Sequence, residues 1–163
     1  MVPDWSDEQL VAYLRRAYHA VDGLWFMMVE DCAGFAAALD ADRRVWQVLA
    51  KIQARKAREV TGRPGNAPED LLACFSLKLT ADGHCFDAAV DSNAVEFTIH
   101  RCPWLDLLQG SGREHLARQV AETVCPTEGA AWCREFGDAY DYSMPALMCG
   151  GAGECVMRFG RRR

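Results

Sequence analysis

Residues 84–104 read HCFDAAVDSNAVEFTIHRCPW. Two short runs of alternating character, 84–90 and 94–101, flank Asp91-Ser92-Asn93, a triplet of turn-forming residues. The segment therefore predicts a β-hairpin. It decides the fold, because nearly everything before it carries helical spacing and the chain returns to strand-like text only near its end. Helices first and strands later predict an α+β domain, a helical N-terminal half packed on an antiparallel sheet. The second run ends in Arg101-Cys102-Pro103-Trp104. Proline after the cysteine fixes the chain direction and removes a backbone donor beside the thiol.

Upstream, Ser6-Asp7-Glu8-Gln9 has the capping-box pattern, and Leu10, Leu14, Ala17, Val21 and Trp25 follow at helical spacing. A helix is predicted from Asp7 to Asp22 with Gly23 as a break or kink, followed by a largely apolar segment, residues 23–31, expected as a second helix buried on several sides. Another helix should open at Asp40 or Asp42, with Val45, Leu49, Ile52 and Val60 facing inward, and stop at Gly62. Residues 61–68, TGRPGNAP, read as a loop, and one more helix should start after Pro68.

Downstream, Ser111-Gly112-Arg113-Glu114 is a second capping-box pattern and should open a helix that ends at Cys125, before Pro126. A short helix over 127–136 and two strands, 141–148 and 154–159, complete the chain. The strands are joined by glycine-rich residues 149–153. No repeat or linker divides the sequence, so residues 1–163 read as a single domain.

The 163 residues carry 23 acids and 18 bases, a net charge of −5. That balance argues against general nucleic-acid binding, which needs a basic face to displace counterions. No stretch reaches the roughly 20 apolar residues of a membrane helix. The first ten residues, MVPDWSDEQL, lack the pattern of a secretory signal, so a cytoplasmic location is expected. In that compartment the eight cysteines are expected as thiols rather than disulfides, which directs attention to metal or redox chemistry.

Four of the eight sit where a metal ligand could be presented by a turn or a chain end. They are Cys102 before Pro103, Cys125 before Pro126, and Cys149 and Cys155 around the glycine turn C-G-G-A-G-E-C. Cys32, Cys74 and Cys85 are embedded in helical or strand text and read as packing, while Cys133 beside Trp132 fits either role. Thiolate ligation suits zinc, and four cysteines also suit a [4Fe–4S] cluster. Glu128, three residues after Cys125, is the candidate general base or additional acceptor. His100 should point away from the face of Phe97 and Ile99, and His115 falls in a first helical turn. In the N-terminal half, Trp25, Glu30, Trp46 and Arg55 are candidates for lining a small-molecule pocket.

The stretches AVDGLWFMMVED, VWQVLAKIQARK, FTIHRCPW, SGREHLARQVAETVCPTE and MCGGAGECVMRF resemble a bacterial and archaeal family grouped with L-2-amino-thiazoline-4-carboxylic acid hydrolase-like proteins. The closing pattern also resembles the 4-vinyl reductase domain, although the loop Cys149–Cys155 is shorter here. That resemblance implies a 4-vinyl-reductase-like fold with zinc held near the end of the domain by cysteines and a glutamate, beside an apolar ligand pocket. By position it implies Cys125, Cys149 and Cys155, with Glu128 as the acid, and the closer family adds Cys102. Three functions follow as expectations. One is a metal-bearing module that binds or senses a small molecule. A second is a hydrolase opening a cyclic C–N bond. The third is a purely structural metal protein. The expected partners are a small-molecule ligand and a second copy of the chain as a homodimer, with no nucleic acid and no membrane.

Overall fold

The computed structural model describes residues 3–162. They form two compact units, one ending at Ala41 and the other beginning at Asp42. The elements are α1 (Asp7–Ala33), α2 (Phe35–Thr61), α3 (Pro68–Asp82), β1 (Cys85–Val90), β2 (Ala94–Arg101), α4 (Pro103–Gly110), α5 (Ala117–Glu135), β3 (Tyr140–Ala146) and β4 (Cys155–Arg161). Short 3-10 turns occur at Glu114–Leu116 and Met148–Gly150. The class is α+β, with helices dominating the first half and a four-stranded antiparallel sheet formed by the second. Among the described residues no helix is long and apolar enough to cross a membrane.

In the first unit the capping box forms as expected. The Gln9 N–H donates to Ser6 Oγ at 3.2 Å and the Ser6 N–H to Gln9 Oε1 at 2.9 Å. The helix does not break at Gly23. One interior glycine costs a helix only about 1 kcal/mol, less than the capped turns on either side supply. The true stop is Gly34, whose φ of 85° is open to glycine and strained for other residues. Helix α2 therefore starts at Phe35, ahead of Asp40 and Asp42, and the Phe35 ring meets Phe26 edge-on at 5.8 Å.

In the second unit the inner face of α2 is not the expected one. Val45, Ile52 and Val60 are exposed, while Trp46, Ala50, Ala54 and Ala57 are buried. Branched side chains drew the expectation; small ones are what let a helix backbone approach its neighbours closely. Helix α3 begins with Pro68 at its first position, where a missing N–H costs nothing, and ends at Gly83 in the left-handed region. The hairpin turn is fixed by Asp91, whose Oδ1 accepts from the Asn93 and Ala94 N–H groups at 2.6 and 2.8 Å.

The sheet order is β1-β2-β4-β3. Val95, Phe97 and Ile99 of β2 lie opposite Phe159, Met157 and Cys155 of β4 and all face the core. Phe75 of α3 contacts Phe97, Phe159 and Trp132 at 4.9–5.0 Å between ring centroids, so α3, α5 and the sheet share one aromatic centre. Arg58 closes the far end. It donates to the backbone carbonyls of Glu135, Gly65 and Pro64 and to Asn66 Oδ1, and it lies over the Phe136 ring at 4.4 Å.

Two further expectations are corrected here. Ser111 does not start a helix: it caps the end of α4, a helix that Cys102 and Pro103 open, and α5 begins only at Ala117. Cys125 does not end a helix either. It lies in the middle of α5, which runs through Pro126 to Glu135. Proline removes one helical hydrogen bond, that from residue 126 to the Glu122 carbonyl. The apolar residues that follow, Ala131, Trp132 and Phe136, are buried in the core, and that burial carries the helix past the interruption.

Candidate functional site

The four singled-out cysteines come from four different elements at one end of the sheet. Cys102 is the N-cap of α4, directly after β2. Cys155 opens β4, opposite Ile99 and three residues from Cys102 in register. Cys149 lies in the 3-10 turn between β3 and β4, and Cys125 in the α5 segment that packs against that turn. All eight cysteines are free thiols.

Charge on one thiol is felt by others of the set: that on Cys102 by Cys125 and Cys149, that on Cys155 by Cys102 and Cys125, and that on Cys149 by Cys155. Burial pushes the Cys102 thiol up, and Cys155 adds to this. Burial pushes Cys125 up further, with Glu128, Cys102 and Cys155 reinforcing it and Lys78 opposing. Burial also raises Cys149, with a contribution from Cys102, and raises Cys155, with one from Cys149. One of the sulfurs accepts a backbone donor: the Met148 N–H reaches Cys155 Sγ at 3.2 Å. Backbone donors aimed at sulfur stabilise a thiolate, and such hydrogen bonds tune metal–thiolate sites. As the side chains are placed, no three His, Cys, Asp or Glu among the described residues are gathered tightly enough to hold a metal ion. The thiols are neighbours, not yet a coordination shell.

Beside them lies a buried charge cluster that the sequence reading did not single out. Lys78 of α3 is 2.6 Å from Glu128 of α5 and 3.2 Å from Asp82, one turn along its own helix. Their side chains are 4–6% exposed. Burial alone would push the Lys78 ammonium down, but Glu128 and Asp82 outweigh it, and the group is held charged. Burial raises Glu128, and Lys78 opposes that. The ammonium also sits over Phe75 and Trp46, at 5.4 and 5.9 Å from the ring centroids. The signal was readable in principle. Leu71, Cys74, Phe75, Lys78 and Asp82 share one helical face, and a lysine and an aspartate continuing an otherwise apolar stripe mark a buried pair.

Tyr142 completes the surroundings. It is driven well above the ordinary phenol range by burial, with Cys125 and Glu128 adding. Its ring lies flat against Gly129 of α5, where any Cβ would run into it. On the outer side of Tyr142 and Pro126 is a cleft of about 410 Å³, lined also by Ala121, Glu122, Ser143 and Met144.

Cys74 is buried against Thr61 Oγ1 at 3.3 Å, Cys133 is buried with its thiol raised to about 11 by burial, and Cys32 and Cys85 are exposed. His100 faces away from the core as expected, with Nε2 at 2.9 Å from Asp87 and Nδ1 at 3.6 Å from Glu154. His115 is in the 3-10 turn before α5. Of the pocket candidates, Trp25 and Glu30 are on α1 and Trp25 is exposed. Trp46 is buried edge-on against Trp104 at 5.3 Å, and Arg55 is an exposed partner of Glu135 at 2.7 Å.

The sequence pattern of a family of unknown function (DUF6125) matches residues 4–128, and the chain belongs to that family. The matched span takes in Lys78, Cys102, Cys125 and Glu128. No curated protein matches the chain.

Proposed function

We propose that this DUF6125 member is a cytoplasmic metal-binding protein whose ligands are Cys102, Cys125, Cys149 and Cys155, and that the metal braces a small-molecule cleft. The observation that carries the reading is the convergence of four thiols from α4, α5, the 3-10 turn and β4, each within electrostatic reach of others in the set. A thiophilic centre, zinc or a [4Fe–4S] cluster, would supply the positive charge that lets these sulfurs ionise. The Met148 N–H directed at Cys155 would remain as a donor to that ligating thiolate.

The same features weigh against a thiol nucleophile in the metal-free protein. Reactive cysteines sit in electropositive surroundings that lower the thiol pKa, and here burial raises all four. Glu128, the candidate base, is committed to Lys78 and is 6% exposed, so it could not meet a substrate without leaving that ion pair. The cleft beside Pro126 and Tyr142 is apolar over most of its wall and abuts the helix that presents Cys125, which suits a small apolar ligand sensed through the metal site.

The test is metal content of anaerobically purified protein, with an absorption spectrum. One zinc per chain and no colour identifies zinc; a brown, oxygen-sensitive protein with iron and sulfide identifies the cluster. Cys125→Ser and Cys149→Ser should lose the metal and stability together, because forming the site contributes folding free energy. Cys74→Ser should keep it. Equal metal content in all three variants, or none in the parent, would sink the proposal.

A further inference from the structure

Helix α1 leaves an apolar face uncovered from Leu10 to Met28. Leu10, Leu14, Ala17, Val21, Leu24 and Met28 follow one another at alternating steps of four and three, the spacing of a coiled-coil seam, and all six are exposed. The positions that flank a seam normally carry charges. Here they carry Val11, Tyr18 and Trp25 on one side and Tyr13, Ala20 and Met27 on the other. Between Leu10 and Met28 the acidic and basic residues, Arg15, Arg16 and Asp22, fall on the opposite side, and Asp7 and Asp31 bound the apolar seam at its two ends. An α-helix of this length extends for about 40 Å.

We propose that this face is the interface with a second copy of the chain, α1 of one protomer against α1 of the other. Two observations select that occupant. First, between Leu10 and Met28 the face carries no formal charge, so over that span it offers no sign for a differently charged partner to match, whereas an identical seam matches it in length and spacing. A two-fold arrangement pairs the same patch with itself. Second, the area is of the right size. Tyr13 and Trp25 are 73% and 70% exposed, and aromatic side chains bury roughly 150–250 Å² each when covered. Adding seven more exposed apolar side chains between Leu10 and Met28 brings the face to the order of the ~800 Å² per partner that a stable interface buries. Monomeric proteins rarely leave a contiguous patch of this extent in water.

Sedimentation equilibrium of the full chain at micromolar concentration tests it. The expected mass is twice 18.1 kDa. Leu14→Glu with Leu24→Glu should halve the mass while the near-ultraviolet circular dichroism of the Phe75–Trp132 core is retained. Trp25→Lys, at a side chain already mostly in water, should halve it as well and covers the case in which the double variant does not fold. Arg15→Glu on the opposite side should leave the mass unchanged. A monomeric parent chain overturns the inference, including one that instead co-sediments with phosphatidylcholine vesicles. So does a dimer that survives both seam variants. Metal content plays no part in these readouts, so loss of the metal-site proposal would leave them standing.

Discussion

Lys78→Met removes the ammonium that Glu128 and Asp82 share, at 2.6 and 3.2 Å, and leaves a side chain of similar reach in its place. Its magnitude follows from burial. The three side chains are 4–6% exposed, so the orphaned carboxylates cannot turn to water. Breaking a buried ion pair from one side costs about 3–5 kcal/mol, most of it the desolvation of the charge left behind. For a chain of this size 1 kcal/mol shifts the melting temperature by about 2–4 °C, so a fall of about 6–20 °C is expected. Urea melts followed by circular dichroism at pH 7 measure the loss directly. The sign with pH is also fixed. In the variant Glu128, which burial raises, loses the Lys78 charge that opposed the shift, so the deficit should shrink as the pH falls from 7 toward 5. In the parent, the raised Lys78 value contributes stability that is fully present below the unfolded pKa near 10.5 and is lost only as the pH climbs past the folded one. Adding Glu128→Gln and Asp82→Asn to Lys78→Met removes the unpaired charges and should recover at least half of the loss. A deficit under about 1 kcal/mol, the scale of a solvent-exposed pair, or a triple variant no better than the single one, would refute the reasoning.

Two more outcomes are expected. Gly129→Ala forces a methyl group into the Tyr142 ring and should cost about 1–3 kcal/mol, measured in the same melts; a neutral result would mean the ring is free to move. Asp42 is held at about 6 by burial, against the Trp46 side-chain hydrogen bond that lowers it. A carboxyl whose folded pKa is raised makes the protein more stable as the pH drops from about 7 to 4. Asp42→Asn should therefore flatten that part of the stability profile by up to about 3 kcal/mol. Parallel profiles for the parent and the variant would show that Asp42 does not titrate in this range.

The elements that could be read from the sequence were those with local instructions. Ser6 and Gln9 build their cap, Pro68 opens α3, and Asp91 closes the hairpin, because each acts through backbone groups within three residues of itself. The misread positions were settled at a distance. Gly23 and Pro126 look like stops, yet α1 and α5 pass through both, and in α5 the deciding contribution comes from Trp132 and Phe136 packing in the core. Ser111 has the letters of a cap, but α4 reaches it first and uses it as an end. Among the site residues, proline and glycine beside cysteine marked four thiols on elements at one end of the sheet, which as placed do not gather into a metal-holding group among the described residues. Lys78 and Asp82 share one face of α3, but their contact with Glu128 escaped because Lys78 and Glu128 are fifty residues apart along the chain, joined only when α3 and α5 pack together.

Pro126 has an effect on how α5 holds together. With the bond from residue 126 to the Glu122 carbonyl gone, and with the Thr123 and Thr127 hydroxyls drawing on the carbonyls of Gln119 and Thr123 at 2.9 and 2.8 Å, the helix is two stretches joined by a soft seam. The later stretch is anchored by Glu128, Ala131, Trp132 and Cys133; the earlier one buries only Ala117 and Val124. Cys125 is the last residue of the weakly anchored stretch. Any bond made through its sulfur would fasten the loose half of the helix to β4 and to the start of α4, and breaking it would let that half fray without disturbing the rest of the core.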